Sequence, residues 1–264
     1  MKPVRRLFLL LALPLLLAGC AGLAVPDPQV RAALAPAGVL RVGVYPGSPT
    51  SLVRDPKTGV TAGVALELGQ ALGRQLGVPV QVVEFARVAQ VLDALKGGEV
   101  DFTFTNATEA RARDVDFTPT LLQVELGYLV PPGSAIGSAL EVDRAGMRVG
   151  VTRGSSSQGT LTRQYQHARV IPADSLRQAQ DMLRRGELDA YATNKAVLFE
   201  MQDALPGHRL LEGRWGLESM AIAVPKGREA GMQYLRKFAQ QVQSSGELRA
   251  IVARAGLRGS IQAE

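Results

Sequence analysis

From Leu40 onward the apolar positions alternate between two rhythms. Leu40-Arg41-Val42-Gly43-Val44 is a short run rich in β-branched residues and predicts a strand. Val64 to Leu76 places Leu66, Leu68, Ala71, Leu72 and Leu76 at helical spacing, and Gly77 supplies a left-handed stop. Val78 to Phe85 predicts the next strand, Val88 to Leu95 a helix halted by Gly97-Gly98, and Asp101 to Thr105 another strand. Near the end, Met220 to Pro225 predicts an apolar strand, followed by helices over Glu229 to Ser244 and Glu247 to Ala255. Strands alternating with helices predict an α/β fold.

The pattern then repeats itself. Met147-Arg148-Val149-Gly150-Val151 echoes Leu40 to Val44, and Leu183-Arg184-Arg185-Gly186-Glu187-Leu188-Asp189 echoes Leu95-Lys96-Gly97-Gly98-Glu99-Val100-Asp101. In both copies a helix closes on Gly, the chain turns through Glu, and a strand is entered at Asp. Two matched landmarks in one order predict two α/β lobes of similar build. Thr118 to Pro132 is partly extended and lies between them, and Met220 to Pro225 leads back. Two crossings form a two-segment hinge with a cleft between the lobes. The expected division is lobe 1 over 38–129 and 221–264, and lobe 2 over 130–220.

The first residues change the picture of where this happens. Lys2, Arg5 and Arg6 precede an almost pure Leu/Ala stretch from Leu7 to Ala18, shorter than the about 20 residues of a membrane span. The stretch ends in Leu17-Ala18-Gly19-Cys20, which is similar to a bacterial lipobox. That resemblance implies a signal peptide over 1–19, lipidation of the Cys20 thiol and a tether over 20–37, which carries three prolines. Cys20 is the sole cysteine, so neither an internal disulfide nor a cysteine metal site is available. Losing Lys2, Arg5 and Arg6 with no acid takes the formal charge from +6 to +3. That balance does not argue for nucleic acid and is compatible with an anionic ligand or an acidic membrane surface.

Ligands of open α/β sheets sit beyond the carboxyl ends of the strands. Three polar stretches fall there: Thr103-Phe104-Thr105-Asn106 with Thr108-Glu109-Ala110-Arg111, then Arg153-Gly154-Ser155-Ser156-Ser157, then Thr193-Asn194. Hydroxyls and free N–H groups at a helix start suit a carboxylate or phosphate, although one Ser there also suits a plain helix cap. A guanidinium matches a carboxylate through two parallel bonds. Arg111 and Arg113 are equivalent on that ground, and either fits a solvated charged stretch as well. His167 and His208 lack metal-like or triad-like neighbours, no metal-ligand spacing occurs, and no cofactor is expected. Gly150-x-x-x-Gly154 lacks the Lys of a P-loop, and Leu211 to Trp215 suits core or hinge packing.

Taken in order, these landmarks resemble the family 3 extracellular solute-binding proteins, which typically serve ABC importers of polar amino acids. The likeness spans roughly residues 39–256 and rests on Leu40 to Val44, Gly63 to Leu68, Ala94 to Asp101, Thr108 to Arg111, Val115 to Thr118, Val149 to Ser156 and Leu183 to Ala190. It implies a periplasmic-binding-protein-like α/β fold and a monomer that is not an enzyme. It also implies a small-molecule ligand, an ABC permease as partner and an extracytoplasmic location. By register it assigns Arg111 to a ligand carboxylate, Thr103, Thr105 and Asn106 to the first wall of the cleft, and Ser155 and Ser156 to the second. Three departures stand out. Asn194 occupies the position where amino-acid binders usually carry an acid for the ligand ammonium, and Tyr45 stands where a second acid often follows the first strand. Ser48 stands where an aromatic usually covers the ligand. An amide lacks the Coulomb attraction of a carboxylate for an ammonium. The ligand is therefore expected to be an organic anion, or an amino acid whose ammonium is held differently. A gapped register between Tyr45 and Asp55 leaves room for a substitute acid. Other readings are a dehydratase-like enzyme, with Glu67 or Glu109 as acid, and a ligand-sensing lipoprotein that docks a receptor.

Overall fold

A computed structural model describes residues 27–262. The expected signal peptide and Cys20 lie outside them. The tether expectation fails in part, because Pro28–Leu34 forms a helix, α1. Asp27 caps it by accepting from the Gln29 N–H at 2.8 Å, and Pro28 stands at its first position, where no amide donor is needed. Val30 and Leu34 lie one turn apart on one face, and Leu34 is 1% exposed. The segment therefore carries an apolar stripe and docks onto the core, whereas a tether stays solvated.

Lobe 1 begins with β1 (Leu40–Val44), the small hairpin β2 (Val53–Arg54) and β3 (Thr61–Ala62), and α2 (Val64–Leu76). It continues through β4 (Val80–Glu84), α3 (Val88–Lys96), β5 (Thr103–Asn106), α4 (Glu109–Ala112) and β6 (Val115–Phe117). β7 (Leu122–Val130) then crosses to lobe 2. That lobe contains β8 (Arg148–Thr152), α5 (Ser156–Gln164), β9 (Arg169–Ala173), α6 (Leu176–Arg184), β10 (Ala190–Asn194), α7 (Lys195–Ala204) and β11 (Arg209–Leu210). β12 (Gly216–Pro225) returns the chain to lobe 1, where α8 (Glu229–Ser244), α9 (Glu247–Arg254) and β13 (Ser260–Gln262) complete it.

The lobe 1 strands β4, β1 and β5 run parallel, β1 meeting β5 through Val42 and Phe102. β12 lies antiparallel beside β5. In lobe 2, β9, β8 and β10 are parallel and β7 joins antiparallel to β10. The hinge is the antiparallel pairing of β7 with β12, Leu122–Leu126 against Gly216–Met220. β12 starts four residues before the expected Met220, because the crossing itself is hydrogen-bonded strand.

The internal repeat acquires a physical basis. In lobe 1, Asp101 Oδ2 accepts from Arg41 N at 3.0 Å and Nε at 2.8 Å, and Oδ1 accepts from Nη2 at 2.8 Å. In lobe 2, Asp189 receives Arg148 through the same three atoms, at 2.8, 3.0 and 2.8 Å. The matched Asp therefore clamps the first strand of its lobe to the sheet's next strand by a bidentate pair. Only in the first copy is the Asp side chain fully enclosed, and there Arg228 Nη2 adds a further bond to Asp101 Oδ1 at 2.9 Å.

Candidate ligand-binding site

The strand ends of both lobes converge on one interlobe cleft. Its lining includes Tyr45, Thr105, Asn106, Arg111, Ser155, Ser156 and Asn194, seven of the eight ligand residues expected from the sequence. Thr103, expected on the first wall, is the exception and does not reach the cleft. Its hydroxyl donates to the Gly43 carbonyl at 2.8 Å, within the sheet. Thr103 and Thr105 share a face, but Thr103 lies one pleat deeper, where the next strand consumes its hydrogen bond.

Arg111 and Arg113, equivalent in the sequence, differ in the structure. Thr108 caps α4, its Oγ1 accepting from the Arg111 N–H at 3.3 Å, which aims Arg111 back over β5. Arg111 Nη1 donates to Thr105 Oγ1 and to the Asn106 carbonyl, both at 3.0 Å. Among the described residues Nη2 and Nε have no acceptor, so an edge of the fork is left for a ligand. Burial pushes Arg111 below its ordinary value and the nearby Glu218 carboxylate pulls it back up. Arg113 is exposed. Glu109 is exposed too, and Glu67 is paired with Arg254 on the surface of lobe 1.

On the lobe 2 wall the two serines divide the roles weighed for them. Ser155 caps α5, accepting from the Gln158 N–H at 3.1 Å, while Ser156 Oγ donates into the cleft, to Glu218 Oε1 at 2.6 Å. Asn194 does both: its Oδ1 caps α7 at Val197 N, 3.1 Å, and its Nδ2 donates to Glu218 Oε2 at 2.9 Å. Asn106 closes the ring. It accepts from the Ser219 N–H at 3.0 Å and donates to Glu218 Oε1 at 3.4 Å.

Glu218 is thus the centre of the cleft, and sequence reasoning missed it. The residue is 7% exposed and its carboxylate receives only neutral donors. A signal was present: the inward stripe Met220, Ile222, Val224 continues two residues back to Glu218, an acid on the buried face of a strand. The Tyr45 to Asp55 loop contributes no acid to the cleft lining. Instead Ser48, Thr50 and Ser51 are buried, with Ser48 Oγ 2.8 Å from Thr50 Oγ1 and Ser51 Oγ accepting from Tyr45 N at 2.8 Å. The aromatic of the cleft is Tyr45 itself, whose phenol is pushed up by burial.

The lobes are in close contact around this site. A methyl on Gly154, which has φ +73°, would lie 2.5 Å from Ala89 Cβ on α3 of the other lobe. Tyr45 of lobe 1 packs against the lobe 2 core that contains Leu176 and Tyr191. Trp215 packs at the hinge, its indole N–H donating to the Gly127 carbonyl at 2.9 Å and its ring tilted on Tyr128. His167 is exposed, whereas the ring nitrogens of His208 are buried without a hydrogen-bond partner among the described residues.

Because Asn194 donates to Glu218, Asn194→Asp is expected to weaken the site. The introduced carboxylate would face Glu218 at hydrogen-bond distance, and the two are tolerated together only by sharing a proton. The folded variant then binds a proton that the unfolded chain has lost, so its stability relative to the parent falls as pH rises from about 5 to 8. Thermal unfolding across that range checks this, and a melting difference that stays flat with pH refutes it.

The sequence model of the bacterial extracellular solute-binding proteins, family 3, matches residues 40–256. The chain belongs to this family. Among curated members it is similar to the ABC transporter glutamine-binding protein GlnH of Bacillus subtilis (strain 168), 24% identical over 198 residues, 74% of this chain and 72% of that one. Its fold matches the solute receptor for L-cysteine of Neisseria gonorrhoeae with a TM-score of 0.76 and 24% identity, covering 85% of this chain and 92% of the receptor. It also matches an ancestral arginine-binding protein bound to glutamine, with a TM-score of 0.73 and 26% identity over 82% and 97% of the two chains. This family 3 protein therefore has the periplasmic-binding-protein fold expected from its landmarks, and its relatives are extracytoplasmic binders of amino acids serving ABC transporters. No helix among the described residues is long and apolar enough to cross a membrane.

Proposed function

We propose that this protein is the extracytoplasmic receptor of an ABC importer and captures a small ligand by its carboxylate between the two lobes, without altering it chemically. One observation carries the reading. Arg111 is anchored by Nη1 to Thr105 and Asn106, while the rest of its guanidinium faces a cleft whose other wall comes from a second lobe. A half-buried guanidinium with an unengaged edge is suited to a planar anion. Tyr45, Leu176, Val197 and Met220 border the same space, which favours a short and weakly polar side chain on the ligand. Lobe closure around the ligand then presents a shape that a permease can recognise. We also propose that Cys20 carries a lipid that keeps the receptor at a membrane. Metabolic labelling with a fatty acid, lost in Cys20→Ala, is the expected result, and labelling that persists in that variant excludes it.

The decisive experiment is a thermal-shift screen with amino acids, 2-hydroxy acids, dicarboxylates, keto acids and amines. A native-state ligand raises the melting temperature in a concentration-dependent way. Carboxylate-bearing compounds should register while the matching amines do not, and the hit should be recovered unchanged after long incubation. Conversion of the hit to a product would make the protein an enzyme instead. A screen answered only by compounds without an anionic group would overturn the reading.

A further inference from the structure

The cleft holds two opposite charges that sense each other but form no direct ion pair. Arg111 is engaged by Thr105 and Asn106, and Glu218 by Asn106, Ser156 and Asn194; among the described residues no ion pair joins them. Yet both line the same space, and Asn106 touches each of them, through its carbonyl to Arg111 and through its side-chain amide to Glu218. One residue therefore separates the positive end of the cleft from the negative end.

A carboxylate that is 7% exposed and bonded only to neutral donors lacks a directly paired counter-ion. Two of its three bonds, from Ser156 and Asn194, come from the far lobe, and the third, from Asn106, is long at 3.4 Å. A carboxylate accepts about four hydrogen bonds, so at least one acceptor site remains. A simple anion entering beside Arg111 would meet Glu218 as a like charge. A ligand carrying an ammonium next to its carboxylate would satisfy both ends at once.

Resting on the proposed capture of a carboxylate by Arg111, we infer that Glu218, on the hinge strand and not at the Asn194 position, is the residue that pairs with a ligand's ammonium group and sets a preference for a zwitterion over the matching simple anion. The hinge strand β12 supplies the acid that the family resemblance located at Asn194, and the Asn194 amide now orients it. Of the two ligands expected from Asn194, an organic anion or an amino acid whose ammonium is held differently, this selects the second.

The test compares an α-amino acid that binds with its 2-hydroxy analogue, which keeps the carboxylate and side chain and replaces the ammonium by a neutral hydroxyl. Both are titrated calorimetrically into the parent and Glu218→Gln, with the ligand-free melting temperature as a control on folding. The parent should prefer the amino acid by at least tenfold. Glu218→Gln should lose at least tenfold on the amino acid and little on the hydroxy acid, which collapses the preference. Equal losses on both ligands, or an undiminished preference, overturns the inference while leaving carboxylate capture intact. Absence of amino-acid binding by the parent overturns both. Should Glu218→Gln bind neither compound, Glu218→Asp decides: partial recovery on the amino acid supports the charge, and no recovery rejects it.

Discussion

Replacing Arg111 with Ala is expected to lower ligand affinity by at least a hundredfold while leaving the ligand-free protein folded. A bond to a charged group contributes about 1.5–3 kcal/mol, and a bidentate contact makes two of them. At about 1.4 kcal/mol per factor of ten, that corresponds to roughly two to four decades in the dissociation constant. The guanidinium is already held by Thr105 Oγ1 and the Asn106 carbonyl before any ligand arrives, so little ordering cost offsets the gain. Arg111→Lys separates charge from geometry. An ammonium keeps the attraction but loses the planar fork, so an intermediate loss is expected. Because burial already opposes the charge on Arg111, its removal should leave the melting temperature of the empty protein unchanged or slightly raised. Calorimetric titration with the strongest hit measures the effect. An affinity for Arg111→Ala within threefold of the parent would refute the role.

The second large effect concerns stability. Asp101→Ala should destabilise the protein far more than Asp189→Ala, although the two residues make matched contacts. The Asp101 side chain is 0% exposed and holds both Arg41 and Arg228, so removing it strands two guanidinium groups in a nearly closed environment. Breaking such a pair costs about 3–5 kcal/mol. Asp189 and Arg148 are 32% and 41% exposed at their side chains, where water replaces the lost partner and about 1 kcal/mol is expected. At about 2–4 °C per kcal/mol for a chain of this size, the two variants should differ clearly in thermal melting. Equal shifts would mean that Arg228 adds nothing to the first clamp.

Much of this architecture is legible in the sequence. The Gly-Glu-x-Asp landmarks predicted two similar lobes, and the structure supplies their reason in the Arg41–Asp101 and Arg148–Asp189 clamps. Those pairs join residues 60 and 41 positions apart, a relation that no local pattern discloses. Arg111 became distinguishable from Arg113 through the family register, and the structure adds the cap at Thr108 that aims it. What was not legible has a common cause. Glu218 meets its partners 24, 62 and 112 positions away, and it lies between Leu211–Trp215, read as packing, and the strand expected from Met220, so its acidity looked like that of any surface residue. Prolines and small residues before Leu40 suggested a tether, yet the spacing of Val30 and Leu34 matters only because α8 offers Gly231, where Leu34 Cδ2 occupies the space a Cβ would need, at 2.5 Å.

The two lobes also differ in how the chain can build them. Lobe 2 is drawn from one continuous stretch between β7 and β12, so its sheet and helices can assemble as soon as that stretch is available. Lobe 1 is not. Leu68, Leu72, Phe102 and Phe104 share their core with Ile222, Leu235, Phe238, Val242 and Ile251, which arrive only after the second lobe is complete. A chain threaded out from its N-terminus thus presents an unfinished apolar surface for most of its emergence, because the contacts that cover it span over a hundred positions. The half of the protein that carries Arg111 is the half that must wait, and lobe 2 is expected to gain protection from proteolysis and hydrogen exchange before it during refolding.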